Sequence, residues 1–227
     1  MSLQLYANLV SQPSRAVMWV LKTKSVDYEF IQADFGSPVF SSAEFLKLNP
    51  NGFIPVLKDG DFSMFEGNAI LTYLADKHAW TDLYPTDRIT RAKINQYLHW
   101  HHTNVRLFTP QVLVPLIHAK VDALTPEDDV FLKNLQALVA KKTELLEAML
   151  VAHDAVFVAG TPQPTLADYA CYCEVGQTHM LGVFDFAKYP KVSAWLDHMK
   201  KLEHHDEIHE VLSGFLTSVG LLPTAAA

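Results

Sequence analysis

Residues 53–74 constrain this chain more than any other stretch. Two short apolar runs, Phe53-Ile54-Pro55-Val56-Leu57 and Phe62-Ser63-Met64-Phe65, flank Asp59-Gly60. Such a pair between extended runs predicts a tight hairpin, because glycine reaches positive φ without steric cost. Glu66-Gly67-Asn68 then ends the second strand, and Asn68 is placed to cap a helix carrying Ile70, Leu71, Tyr73 and Leu74. A strand running into a helix N-terminus leaves backbone N–H groups pointing outward, a setting suited to a small carboxylate. An ordinary capped helix behind a hairpin explains the same residues, so this stretch alone does not decide function.

Upstream, Leu3, Leu5 and Ala7 alternate with Gln4, Tyr6 and Asn8, which predicts a first strand. Gln12-Pro13 opens a helix with proline at its first position and Val17, Val20 and Leu21 as its buried stripe. Residues 27–32 read as a second strand, 34–42 as a loop and 44–48 as a short helix before the Asn49-Pro50-Asn51-Gly52 turn. Residues 1–80 therefore form a mixed α/β unit, and residues 81–87, around Pro85, read as a linker. From 88 to 227 no strand pattern occurs. Ile94, Tyr97, Leu98, His101 and Val105 recur at helical spacing, and Pro110 and Pro115 end or kink that helix. Thr125-Pro126-Glu127-Asp128 opens a helix whose stripe reads Phe131, Leu135, Leu138, Leu145 and Met149. Thr165-Leu166-Ala167-Asp168 opens another, and residues 191–201 and 207–216 complete an all-helical second domain. The expected fold class is α/β plus all-α.

Composition narrows the function classes. The chain has 227 residues, 49% of them hydrophobic, and a net charge of -7. An acidic balance argues against a nucleic-acid backbone as partner, since that demands a basic face. Cys171 and Cys173 cannot build a disulfide framework and suit a reducing compartment. No apolar run reaches the length of a membrane span, and the Ser11-Gln12-Pro13-Ser14-Arg15 segment interrupts any signal-peptide pattern. These features predict a cytoplasmic protein. His101-His102 and the His205/His209 pair lack a neighbouring carboxylate motif, so no metal site is expected.

Taken in order, these signals resemble a known family. Ser11-Gln12-Pro13-Ser14-Arg15-Ala16-Val17 is similar to the active-site segment of theta-class glutathione transferases. The Asn49-Pro50 turn, Ile54-Pro55, the Asp59-Gly60 hairpin and Glu66 stand in that family's order and spacing. Tyr84-Pro85, Tyr97, Trp100-His101-His102-Thr103-Asn104 and Arg106 resemble the first helix of the class's second domain, and Thr165-Leu166-Ala167-Asp168 its internal capping box. The resemblance implies a thioredoxin-like N-terminal domain, with a mixed four-stranded sheet, followed by an all-helical domain, in a homodimer. It implies glutathione as cosubstrate with no other cofactor, an electrophilic small molecule as second substrate, and a capacity to reduce organic hydroperoxides.

It also assigns roles. Ser11 would donate its hydroxyl to the glutathione sulfur and stabilise the thiolate; read without the family, Ser11 is simply a favoured helix cap. Ser14 and Tyr6 are alternative donors. Ile54-Pro55 would be cis, although X-Pro bonds are trans by default, and Ile54 would pair with the cysteinyl backbone. Glu66 would meet the tripeptide's amino end, the Gly67 and Asn68 amides its γ-glutamyl carboxylate, with Gln12 and Arg106 also at the glutathione site. Three positions depart from the class. Phe40 stands where His or Gln is usual, Phe53 where Lys is usual and Gly67 where most have Ser. Each replacement removes a polar partner of glutathione, so binding is expected to be weaker. Two other functions stay open: a protein-interaction module like the N-terminal domain of the elongation factor 1 gamma subunit, and a binder of apolar ligands.

Overall fold

The computed structural model describes residues 3–152 and 154–223. Its N-terminal part runs β1 (Leu3–Ala7), α1 (Gln12–Thr23), β2 (Glu29–Gln32), α2 (Ala43–Leu48), β3 (Val56–Asp59), β4 (Phe62–Phe65) and α3 (Gly67–Lys77). The four strands form one mixed sheet in the order β2-β1-β3-β4. β1 pairs parallel with β2, aligning Leu5 with Phe30, and antiparallel with β3, aligning Leu5 with Leu57. The hairpin pairs Asp59 with Phe62, so its turn residues are Gly60 and Asp61, and the positive φ of 62° falls on Gly60. Asp59 is thus a strand residue and accepts a hydrogen bond from the Tyr73 hydroxyl at 2.7 Å. Residues 27 and 28 lie outside β2, an edge strand with Phe30 on its exposed side.

The remainder of the described chain is helical. It comprises α4 (Arg88–Thr103), α5 (Val114–Lys120), α6 (Pro126–Ala152), α7 (Leu166–Met180), α8 (Pro190–Lys200) and α9 (His205–Ser218). α4 stops before Val105 and before either proline. Asn104, at φ -125° and ψ -100°, breaks it, and its side chain closes back onto the Trp100 carbonyl. A 3-10 turn (Val105–Leu107) and a π-helical turn (Thr109–Leu113) follow and lead into α5.

The buried face of α6 differs from the one its sequence predicts. Leu135, Val139, Lys142, Thr143, Leu146 and Leu150 are buried, whereas Leu145 is 43% exposed. Phe131, Leu138 and Leu145 recur every seven residues, a row that drifts by roughly 20° per repeat around a straight helix. The face turned to the core follows the 3.6-residue period instead.

α7 is the central post. Thr165 and Asp168 form the expected capping box, and residues from Leu166 to Thr178 are buried. Asp168 also accepts from the Val158 amide (2.9 Å) and the Trp195 indole (3.0 Å). α1 lies between the sheet and α7 and is buried on nearly every side, far beyond a three-residue stripe. Trp19 of α1 packs edge-on against Tyr169 of α7, with ring centroids 4.9 Å apart, and donates to the Glu203 carbonyl. Arg15 is fully buried. Its guanidinium donates to the Leu9 and Val10 carbonyls and, across the domain boundary, to the Cys173 carbonyl (2.9 Å) and Gln177 Oε1 (3.0 Å).

Candidate active site

A cleft of about 840 Å³ opens between the N-terminal domain and the first helices of the second. Its lining includes all eight site residues singled out from the sequence: Ser11, Gln12, Ile54, Pro55, Glu66, Gly67, Asn68 and Arg106.

Ser11 ends the loop between β1 and α1. Its backbone is held from both sides, its N–H by the Asn8 carbonyl and its C=O by the Arg15 N–H, each at 2.9 Å. It occupies the N-cap position of α1, yet its side chain makes no capping bond, and among the described residues the hydroxyl has no hydrogen-bond partner. The hydroxyl is therefore available to a ligand in the cleft. Ser14 is fully buried, its hydroxyl has no partner among the described residues, and it does not line the cleft. Tyr6 packs edge-on against Phe45.

The α3 N-terminus faces the same space. The helix starts at Gly67 with Glu66 at the cap position, so Asn68 is not its cap. The Asn68 side chain donates instead to the Leu98 carbonyl of α4 at 3.0 Å. Glu66 sits at φ 72°, a region that disfavours side-chain-bearing residues, and it makes no side-chain capping bond. The first amides of α3 are thereby left without helical partners, where the helix dipole favours an anion. A Cβ at Gly67 would lie 2.8 Å from the Pro13 Cβ, so glycine is what lets the starts of α1 and α3 abut.

The Ile54-Pro55 bond is cis. Buried Asn49 steadies the preceding loop, donating to the Phe53 carbonyl at 2.8 Å and accepting from the Asn51 amide. Phe53 is 71% exposed at the cleft mouth. Phe40 packs edge-on against Phe45, and among the described residues no ring pairing joins Phe40 to Phe53.

From the helical side, Arg106 donates to Glu174 Oε1 at 3.1 Å. Glu174 is almost wholly buried on α7 and also accepts from the Thr109 hydroxyl at 2.6 Å. Burial pushes its carboxyl up to about 7 against the opposing pull of Arg106. Gln177 continues the network, donating to Thr109 and accepting from both Arg15 and Gln12. The Gln12 amide N–H is therefore engaged within the protein. His101 is buried beside the cleft, and burial lowers it to about 3, which keeps it neutral at physiological pH. The rest of the lining includes His102 and a largely apolar stretch, Val10, Leu113, Val114, Ile117 and Phe215, with His118 among them.

Three features escaped the sequence reading: the Arg15–Gln177 link, the Thr109–Glu174 bond and the pairing of His118 with Asp128. Only the last had a local signal, the Thr125–Asp128 cap. Among the described residues no group of three or more His, Cys, Asp or Glu could hold a metal ion, and no helix is long and apolar enough to cross a membrane.

A four-stranded mixed sheet with a helix-flanked cleft, backed by a helical domain, defines a thioredoxin-like two-part architecture, and the comparisons with known proteins agree. Residues 1–76 match the family model "Glutathione S-transferase, N-terminal domain". The chain is 35% identical to human glutathione S-transferase theta-2B over 99% of its own length and 93% of that protein's. It is 33% identical to glutathione S-transferase T2 of Arabidopsis thaliana, covering 93% of this chain but 37% of that longer protein. The crystal structure of human glutathione transferase theta-2, in complex with glutathione and an unknown ligand, superposes with a TM-score of 0.85 at 32% identity, covering 96% of this chain and 90% of that one. The chain belongs to the glutathione S-transferase family, and its similarity is to theta-class members.

Proposed function

We propose that this protein conjugates the thiolate of glutathione to electrophilic small molecules, with Ser11 as the thiolate-stabilising donor. The carrying observation is the Ser11 hydroxyl, without a hydrogen-bond partner among the described residues, beside the starts of α1 and α3 in a cleft with an apolar stretch in its other wall. A free thiol ionises near 8.5, so only a few per cent is thiolate at neutral pH. A hydroxyl donor and a helix N-terminus both favour the charged form and lower that value. The thiolate then attacks the electrophilic carbon and the leaving group departs. The α3 amides of Gly67 and Asn68, with Glu66, would take the γ-glutamyl end, and Ile54 the cysteinyl backbone. Arg106 would approach from the helical side, and Gln12 would contribute the backbone and carbonyl edge left by its bond to Gln177. The same thiolate could reduce organic hydroperoxides. Glutathione serves as cosubstrate with no further cofactor, in a cytoplasmic homodimer split into residues 1–80 and 88–227 by the linker 81–87.

The test is Ser11→Ala, assayed by calorimetric titration with glutathione and by turnover. Glutathione affinity should largely persist while turnover falls by an order of magnitude or more. Removing one positioned donor to negative charge typically costs about 2.7–4 kcal/mol. The ultraviolet absorbance of the bound thiolate should fall in step; unchanged turnover and absorbance would leave Ser11 a backbone cap only.

A further inference from the structure

Leu113, Val114, Ile117 and Phe215 form an apolar part of the cleft lining, and one polar side chain is set among them. His118 closes the last turn of α5 beside Ile117 and is about one-third exposed, whereas its partner Asp128 is 8% exposed and lies outside the cleft lining. His118 Nδ1 stands 2.9 Å from Asp128 Oδ2. The same carboxylate oxygen accepts from the Thr125 amide (2.9 Å) and hydroxyl (2.7 Å), while the Asp128 amide donates back to the Thr125 hydroxyl. Hydrogen bonds from His118 and Thr125 hold this carboxyl at about 2, so it is ionised and can only accept. Nδ1 must therefore carry the proton of that bond, which fixes the tautomer and the ring plane. The Nε2 edge is turned away from Asp128 and has no protein partner among the described residues. Nε2 is an acceptor when the ring is neutral and a donor when it is charged. A hydroxyl group can answer either state, since it both donates and accepts.

We propose that His118, oriented by Asp128, is a specificity-determining residue that recognises a hydroxyl group carried on the apolar body of the second substrate. This rests on the transferase reading above. Leu113, Val114 and Phe215 accept the apolar body. A substrate without the hydroxyl leaves Nε2 desolvated and unpaired, and discrimination arises from that loss.

The experiment compares glutathione conjugation of isosteric benzyl chlorides, the 3- and 4-(hydroxymethyl) compounds against the 3- and 4-ethyl compounds, in the wild type and His118→Leu. Chloride leaves without needing a proton, so the pairs differ only in what the wall reads. For at least one isomer the wild type should favour the hydroxyl compound in kcat/KM by about three- to tenfold, the range of one net hydrogen bond. In His118→Leu that ratio should fall to one or below, because a hydroxyl then meets only apolar surface. The readout is a ratio, so a general loss of fold or activity cancels. Turnover with no hydroxyl preference in the wild type, or a preference that survives in His118→Leu, overturns the proposal and leaves the transferase reading standing. Failure of the wild type to conjugate any of the four overturns both.

Discussion

Gly67 changes meaning between sequence and structure. By resemblance it looks like a serine lost from the glutathione site. In three dimensions its missing Cβ is the space that Pro13 needs, since a Cβ there would sit 2.8 Å from the proline ring. Restoring the serine should therefore not tighten glutathione binding. Gly67→Ser should instead force α3 off α1 and destabilise the fold by about 1–3 kcal/mol, as overpacking does; urea unfolding and a glutathione titration of the same variant check both halves. His209 provides a second residue-scale test. It stacks on His205 with ring centroids 4.6 Å apart, its Nδ1 faces the His205 carbonyl, and its Nε2 is buried without a partner among the described residues. Burial, with Arg15 nearby, lowers it to about 3. A histidine depressed in the folded state leaves stability intact above its unfolded value near 6.5. It withdraws stability as pH falls, because the unfolded chain takes a proton that the folded one refuses. The slope is about 1.4 kcal/mol per pH unit. His209→Phe keeps the ring and removes the titration, so between pH 7 and pH 5 its stability should gain on the wild type by roughly 2 kcal/mol. Parallel urea midpoints at the two pH values would rule that out.

At the scale of elements, legibility followed distance along the chain. The strands, the hairpin, the α6 and α7 starts and the Ser11 segment were readable because each is decided by neighbours within a few positions. The break after α4 was misplaced because prolines are conspicuous, whereas the breaker, Asn104, acts through its backbone angles. The α6 face was misread because its apolar residues supply two overlapping rows, and only packing against other helices selects one. The site divides in the same way. Ser11, Pro55 and Glu66 belong to local segments, but Thr109 and Glu174 meet across 65 positions and Arg15 reaches Cys173 across 158. No pattern confined to a window marks such pairs. The α7 cap joins both kinds. Thr165 and Asp168 are local, yet Asp168 also holds Val158 and Trp195. Asp168→Ala orphans the Val158 and Thr165 amides and the Trp195 indole at once, all in a buried setting. The loss expected is about 3–5 kcal/mol, above that of a surface cap. A thermal melt no different from that of an exposed-cap variant such as Asp87→Ala would contradict it.

For the whole molecule, the homodimer proposed above is the state to test. Light scattering at micromolar concentration should give twice the 25.5 kDa chain mass, and a single-chain mass would refute it. The long-range bonds of Arg15 have a consequence of another kind, in the order of events during synthesis. The sheet-forming segment leaves the ribosome first, carrying a guanidinium and an indole destined for complete burial. The α7 carbonyl that receives the guanidinium follows after some 158 further residues, a wait of roughly 10–30 s at ordinary elongation rates, and the Glu203 carbonyl that receives the indole comes later still. Through that interval Arg15 has only water and its local carbonyls as acceptors, and the face of α1 meant for α7 stays wet. Settling of the Ser11–Arg15 segment is thus timed by the late helix rather than by its own strands, since two of the partners that Arg15 bonds belong to α7.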